Sequence, residues 1–428
     1  MTRAPGSSII ALPPQPPKQH EAVPAFLPRL VGGRRMTAGH DRRLVWWLSL
    51  AQLITWGSVF YTFALLLAPV ERELGLGRAQ SSLAFSLALF AEGVFAFPVG
   101  RWIDRGHERA VMTGGSLLIA AGLALHSQVH GAAGFYLAWL VLGAGLSATL
   151  YTPVFAVVTR RFPQDFRRAI ITLTFLGGLA SSVFIPLSAW LIATLGWRSA
   201  LLVLAAVHLL VCVPLHALCL RGAPPRPAQA APTGQHSPAQ LLRSAPYLLI
   251  LLFVIGMMGI TAAIPPHLIS LLREAGLGEA WVIAIPASIG VIQVLGRLLL
   301  FFFEHRFDLH LANRLIPFLI PLALAALIAG AAHPFAGLLF VLLYGLGNGM
   351  LTIVKGTAVA QYVSREHVAA LNGAMGLPSA VARAVAPVLL GVMWTRAAGY
   401  RWGLLVLLAV GLLAAGALIL AQRRALLR

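Results

Sequence analysis

The chain is poor in acid. Of its 428 residues only 13 are Asp or Glu, against 32 Lys or Arg, giving a formal charge of +19. Charged residues together make up 11%, less than half of the roughly 25% usual in soluble domains. Cysteine is scarce too: Cys212 and Cys219 lie about two turns apart on one apolar segment and form neither a Cys-x-x-Cys pair nor a Cys/His ligand pattern. They read as packed or lipid-facing thiols. Lysine occurs at Lys18 and Lys355 alone. There is no Walker loop, no Gly-x-Ser-x-Gly elbow and no His/Glu metal pattern. These absences argue against an enzyme, against a metal or cofactor, and against ATP as an energy source within the chain.

What is present is apolar length. Hydrophobic residues make up 59%, and between about Leu44 and Ala421 stretches long enough to cross a bilayer recur about twelve times. Roughly 20 apolar residues span the ~30 Å hydrocarbon core. The spacing predicts an all-α protein of the lipid bilayer, with helices at roughly 44–69, 80–102, 110–128, 133–158, 169–193, 199–220, 246–271, 281–303, 315–331, 336–360, 371–395 and 402–421. The stretch 221–245, with Pro224-Pro225-Arg226-Pro227, reads as a cytoplasmic linker between two six-helix bundles, 44–220 and 246–422. Residues 1–43, with Pro13-Pro14-Gln15-Pro16-Pro17, read as a disordered cytoplasmic tail, and 423–428 as a second tail. Met36 offers an internal start.

The arginines are scattered singly and in pairs through short loops, so no nucleic-acid partner is expected. Their distribution is topological. The loops holding Arg101, Arg105, Arg109, Arg160, Arg161, Arg167 and Arg168 fall on one side, those with Arg72, Arg78 and Arg198 on the other, and the excess places both termini in the cytoplasm. Low lysine with abundant Ala and Arg fits a GC-rich genome and a bacterial inner membrane.

The two halves read as copies. Gly143-Ala144-Gly145 matches Gly345-Leu346-Gly347, and Gly100-Arg101 matches Gly296-Arg297. Pro186 before Gly196-Trp197-Arg198 matches Pro387 before Gly399-Tyr400-Arg401. Parallel six-helix repeats make a transporter architecture, with substrate held near the midplane between them.

Residues 44–422 resemble the major facilitator superfamily. The loop Gly100-Arg101-Trp102-Ile103-Asp104-Arg105 is similar to that family's helix 2–3 signature, with Gly106 following directly and Glu108-Arg109 where a basic pair is usual. The resemblance implies a conformational gating role for Gly100, Asp104, Arg105 and Arg109. The arginine expected before the fourth helix's Gly-x-Gly is replaced by Trp139-Leu140-Val141, and the fifth helix lacks the Gly-Pro-x-x-Gly-Gly string, which argues against a standard multidrug exporter. The run Gln293-Val294-Leu295-Gly296-Arg297 looks like the Arg-bearing eighth helix of the monocarboxylate-type branch, with Gln293 where an aspartate usually stands.

Four charges lie well inside apolar segments: Glu92, Arg297, Lys355 and Arg383. An ionisable group so placed is costly and marks a site or a packed pair. Glu92, the single acid among them, is the candidate for proton coupling. Three positive charges against one negative leave two seeking an anion. Lys355, Arg383 and Arg297 are therefore the expected substrate ligands, with Gln293, Asn348, Tyr151, Gln52 and Tyr61 adding hydrogen bonds. His208 and His267 read as packed residues. The leading expectation is a proton-coupled secondary transporter of a small organic anion, working as a monomer. Efflux of a toxic compound and a non-transporting membrane sensor are the alternatives.

Overall fold

The computed structural model describes residues 40–162, 166–222, 238–303, 309–330, 332–364 and 367–426. Most of the expected tail 1–43, its residues 1–39, and most of the expected linker 221–245, its residues 223–237, lie outside the described residues. At their edges the expectation shifts. Helix begins at His40, a short helix Pro238–Leu242 falls within the anticipated linker, and the last helix continues through Arg423 and Arg424 to Leu426.

Among the described residues, long apolar helices make up nearly the whole fold: α1 (Arg43–Leu74), α2 (Arg78–Asp104), α3 (Glu108–Ser127) and α4 (Ala132–Arg161) come first. The segment Ala169–Cys219 follows, 51 residues running as one span. At 1.5 Å per residue that is roughly 77 Å of helix, more than twice the ~30 Å a bilayer core requires. Gly196, at φ 76 and ψ 158, breaks it into two arms, α5 before and α6 after. A side chain at that φ would be strained, so glycine is what allows the chain to turn back. The second half comprises α7 (Ala245–Glu274), α8 (Glu279–Leu300), α9 (His310–Gly330), α10 (Pro334–Tyr362), α11 (Leu371–Val392) and α12 (Arg401–Leu426). Twelve crossings bring both ends of the described chain to one end of the bundle, here the terminal end. The opposite one is the far end.

The apolar core divides in two. One cluster draws on residues from Leu44 to Leu220 and the other on residues from Tyr247 to Ala421, with only a few members exchanged. Within each half, glycines let helix backbones touch. A Cβ at Gly143 would overlap the backbone of Ala88 where α4 crosses α2, and one at Gly349 would overlap the Gln293 backbone where α10 crosses α8. These are equivalent crossings of the two halves; of the repeated glycines, Gly143 lies at the first and Gly345 at the second, where a Cβ would overlap the Ile292 side chain.

The halves meet along two seams, α2 against α11 and α5 against α8. Ser86 Oγ accepts from Val388 N at 3.1 Å on the first. Ser182 Oγ donates to Ala287 O at 2.6 Å and accepts from Val291 N at 3.1 Å on the second. At the far end Arg78 closes the joint: it binds Glu71 at 2.7 Å and Glu274 at 3.0 Å, donates to Tyr400 Oη, and lies 5.1 Å from the Trp394 ring centroid. His267 joins the same knot, contacting Tyr400 Oη and Pro387 O at 3.0 Å each. Towards the terminal end the α2–α11 seam parts. Ser82, Ser86 and Gly93 on α2 face Gly391, Val388 and Ala380 on α11. One turn further along the same stripes Phe97 is 71% exposed, Leu377 is 74% exposed, and a Cβ at Gly100 would meet nothing. The space between the halves therefore opens towards the terminal end.

Candidate functional site

Between the halves lies a cavity of about 350 Å³, lined from α1, α2, α4, α5, α7, α8, α10 and α11. Of the residues singled out in sequence, Glu92, Tyr61, Tyr151, Gln293, Arg297, Asn348, Lys355 and Arg383 all face it. Gln52 does not. It is fully buried, and its amide donates to Thr149 O at 2.5 Å, tying α1 to α4.

The four intramembrane charges are arranged unequally. Arg383 grips Glu92 with two bonds, Nη2 to Oε2 at 2.8 Å and Nη1 to Oε1 at 3.3 Å. This pair crosses the seam from α11 to α2, and both side chains are largely buried. Lys355 is placed otherwise: its Nζ hydrogen-bonds the Met258 sulfur at 3.3 Å, a weak acceptor for an ammonium. Arg297 Nη1 donates across the second seam to Thr174 O, and its Nε has no partner among the described residues. Two cations thus remain beside the cavity without a carboxylate among the described residues. They are Lys355 and Arg297, two of the three cations expected from the sequence to bind substrate; the third, Arg383, is taken up by Glu92.

Polar side chains beside Arg297 bridge the same seam. Gln293, one turn before it on α8, donates to Gly178 O at 2.6 Å and accepts from Asn348 Nδ2 at 3.0 Å. Gly177 and Gly178 let this happen. A Cβ on Gly177 would overlap Tyr151 Oη, and one on Gly178 would come within 3.1 Å of an Arg297 nitrogen. Tyr151 and Arg297 therefore occupy neighbouring notches in α5.

One wall of the cavity escaped sequence reasoning. In α1 the segment Trp56–Tyr61 widens into a π-turn, with Thr62 N bonding Gly57 O five residues back at 3.1 Å. Single π-turns inside α-helices are frequent at functional sites. The wider turn sets Trp56, Phe60 and Tyr61 on the cavity side together. Gly57, against the Phe184 ring, allows α1 to press on α5 there. The only sequence signal was aromatic density in Trp56-Gly57-Ser58-Val59-Phe60-Tyr61.

At the terminal end the helix 2–3 loop is tied down by an unexpected acid. Asp104 and Arg105 are exposed, while Glu108 is fully buried and pairs with both Arg160 and Arg161 at the end of α4. Arg160 Nη1 also caps Ile103 O at 2.6 Å, and Arg109 Nε donates to Ala217 O of α6 at 2.6 Å. The clamp thus joins α3, α4 and α6 within one half. Of the signature residues, Arg109 bonds α6 and Asp104 attracts Arg160 electrostatically.

Comparison with known proteins fits this arrangement. The chain matches the Major Facilitator Superfamily over residues 48–315, more than half its length. It belongs to that family. A facilitator of this kind is a multi-pass membrane transporter and not an enzyme. Bovine monocarboxylate transporter 13 is 38% identical over 124 residues, 28% of each chain. Mouse monocarboxylate transporter 11 is 34% identical over 162 residues, 36% of each. The matches thus span little more than a third of these relatives. Among solved structures, a bacterial homologue of the human lysosomal transporter Spinster, in an inward-facing unoccupied conformation, superposes with a TM-score of 0.70 at 17% identity, covering 91% of this chain and 98% of that one. The nucleoside transporter NupG superposes at 0.66 with 18% identity, covering 90% and 99%. At such identities these structures speak for the fold alone.

Proposed function

We propose that this facilitator is a proton-coupled secondary transporter that moves a small organic anion by alternating access. The observation that carries this reading is the pair of cavity cations, Lys355 and Arg297, which have no carboxylate partner among the described residues while Glu92 is held by Arg383. Buried cations lacking an anion are costly, and a substrate carboxylate would offset that cost with charge-assisted hydrogen bonds. The names of the curated relatives, monocarboxylate transporters, point the same way. Glu92 supplies the coupling step. Protonating it removes the charge that holds Arg383, which loosens the contact of α2 with α11 and makes the cross-half joint depend on proton binding. Excess positive charge at the terminal end supports cytoplasmic termini in a bacterial inner membrane, and the fold works as a monomer.

The test is counterflow of a labelled monocarboxylate in proteoliposomes. Lys355→Ala and Arg297→Ala should each weaken binding by more than about tenfold, because a hydrogen bond to a charged group contributes roughly 1.5–3 kcal/mol. Equal or tighter binding in both variants would mean a neutral or cationic substrate and would overturn the reading.

A further inference from the structure

Resting on that anion reading, we propose that the cavity selects a flat aromatic carboxylate over an aliphatic one. The acid group would lie at the Arg297 guanidinium and the ring along an aromatic wall. That wall is continuous. Phe155 stacks on Tyr151 with centroids 5.3 Å apart and planes 20° from parallel. Tyr151 meets Trp56 at 5.3 Å, and Trp56 meets Phe60 at 5.0 Å. Trp56, Tyr151 and Phe155 are only partly buried and line the cavity, so ring surface is free to receive an occupant.

The wall and the cation are built together. Tyr151 and Arg297 sit in the adjacent notches made by Gly177 and Gly178, so a ring lying on Tyr151 and Trp56 carries its acid group towards the guanidinium. A cavity of about 350 Å³ lies at the small end of ligand sites, in keeping with a single ring. Aromatic pairs gain from offset or edge-to-face geometry beyond simple burial, which a saturated ring of the same size cannot match.

The test compares benzoate, cyclohexanecarboxylate, lactate and benzyl alcohol as competitors of counterflow, with thermal shift of the purified full chain as a second readout. Benzoate should act at a concentration about tenfold or more below cyclohexanecarboxylate, and benzyl alcohol should have no effect. Equal potency of benzoate and cyclohexanecarboxylate overturns the aromatic selection while leaving the anion reading intact. Benzyl alcohol as potent as benzoate, or no binding by any acid, overturns the anion reading and this inference with it. In Trp56→Leu and in Phe155→Leu the benzoate-to-cyclohexanecarboxylate preference should fall towards one while lactate competition persists. Because that preference is a ratio within one protein, a reduced folded fraction does not imitate the result. An unchanged ratio in both variants overturns the proposal.

Discussion

Two ion-pair centres join the halves, and they are built on opposite plans. At the far end Arg78 is shared among Glu71, Glu274, Tyr400 and Trp394, and Glu274 also accepts from Trp394 Nε1 at 2.8 Å. At the centre Arg383 and Glu92 have one another. The far end is redundant: each partner lost leaves others in place. Among the described residues the central pair is exclusive, so a change in one member acts on the other at once. A joint meant to hold through disturbance suits the first plan, and a joint meant to respond to a single proton suits the second.

The largest effect should come from the exclusive pair. Glu92→Gln should abolish pH-driven accumulation in proteoliposomes while leaving counterflow measurable, since glutamine keeps the shape but cannot titrate. It should also lower thermal stability. Removing one member of a buried pair costs roughly 3–5 kcal/mol, an upper figure for a pair beside a watered cavity. Adding Arg383→Gln should recover much of that loss, because no uncompensated charge remains. If the single variant accumulates substrate normally, the central pair is a static brace and the contrast between the two centres disappears.

A smaller effect is expected from Arg78→Ala, which removes every bond of the far-end knot made by that guanidinium. Loss of charge-assisted bonds worth roughly 1.5–3 kcal/mol should favour opening at that end. In a background with Cys212 and Cys219 replaced, labelling of a cysteine at Ser82 should rise about tenfold or more. Unchanged labelling would show that apolar packing, rather than Arg78, seals the seam. The smallest effect belongs to Glu274→Gln. Glu274 is partly exposed, and exposed pairs contribute about 0.2–1 kcal/mol. Labelling should rise only about two- to fivefold, and added salt should erase the difference. A response as large as that of Arg78→Ala would refute the redundancy of the far end.

The sequence carried the helices and the inventory of charge further than it carried their partnerships. Apolar run length located the crossings to within a few residues, as for α10, expected at 336–360 and found at Pro334–Tyr362, because length and hydropathy are local properties. Glu92 and Arg383, in contrast, lie 291 residues apart, and nothing local says which of three cations the acid will meet. That choice is made when α2 docks on α11. The π-turn at Trp56 likewise depends on how α1 fits against Phe184. Gln52 read as a cavity residue because a polar side chain in an apolar run suggests one, yet its amide nitrogen is engaged by the Thr149 carbonyl away from the cavity. In the helix 2–3 loop the resemblance singled out Asp104 and passed over Glu108, four residues on, which is buried and pairs with Arg160 and Arg161.

The glycine crossings bear on how such a protein can diversify. At Gly143 and Gly349 the obstacle to a methyl group is another helix's backbone, which cannot rotate away as a side chain can. Even a one-carbon substitution there must push two helices apart. Around the cavity the neighbours are side chains such as Met258, Thr261 and Phe155, whose replacement alters shape and polarity without moving a backbone. Variation is thus penalised where helices cross and tolerated where cargo rests, so one rigid frame can be refitted for new cargo by exchanging the lining alone.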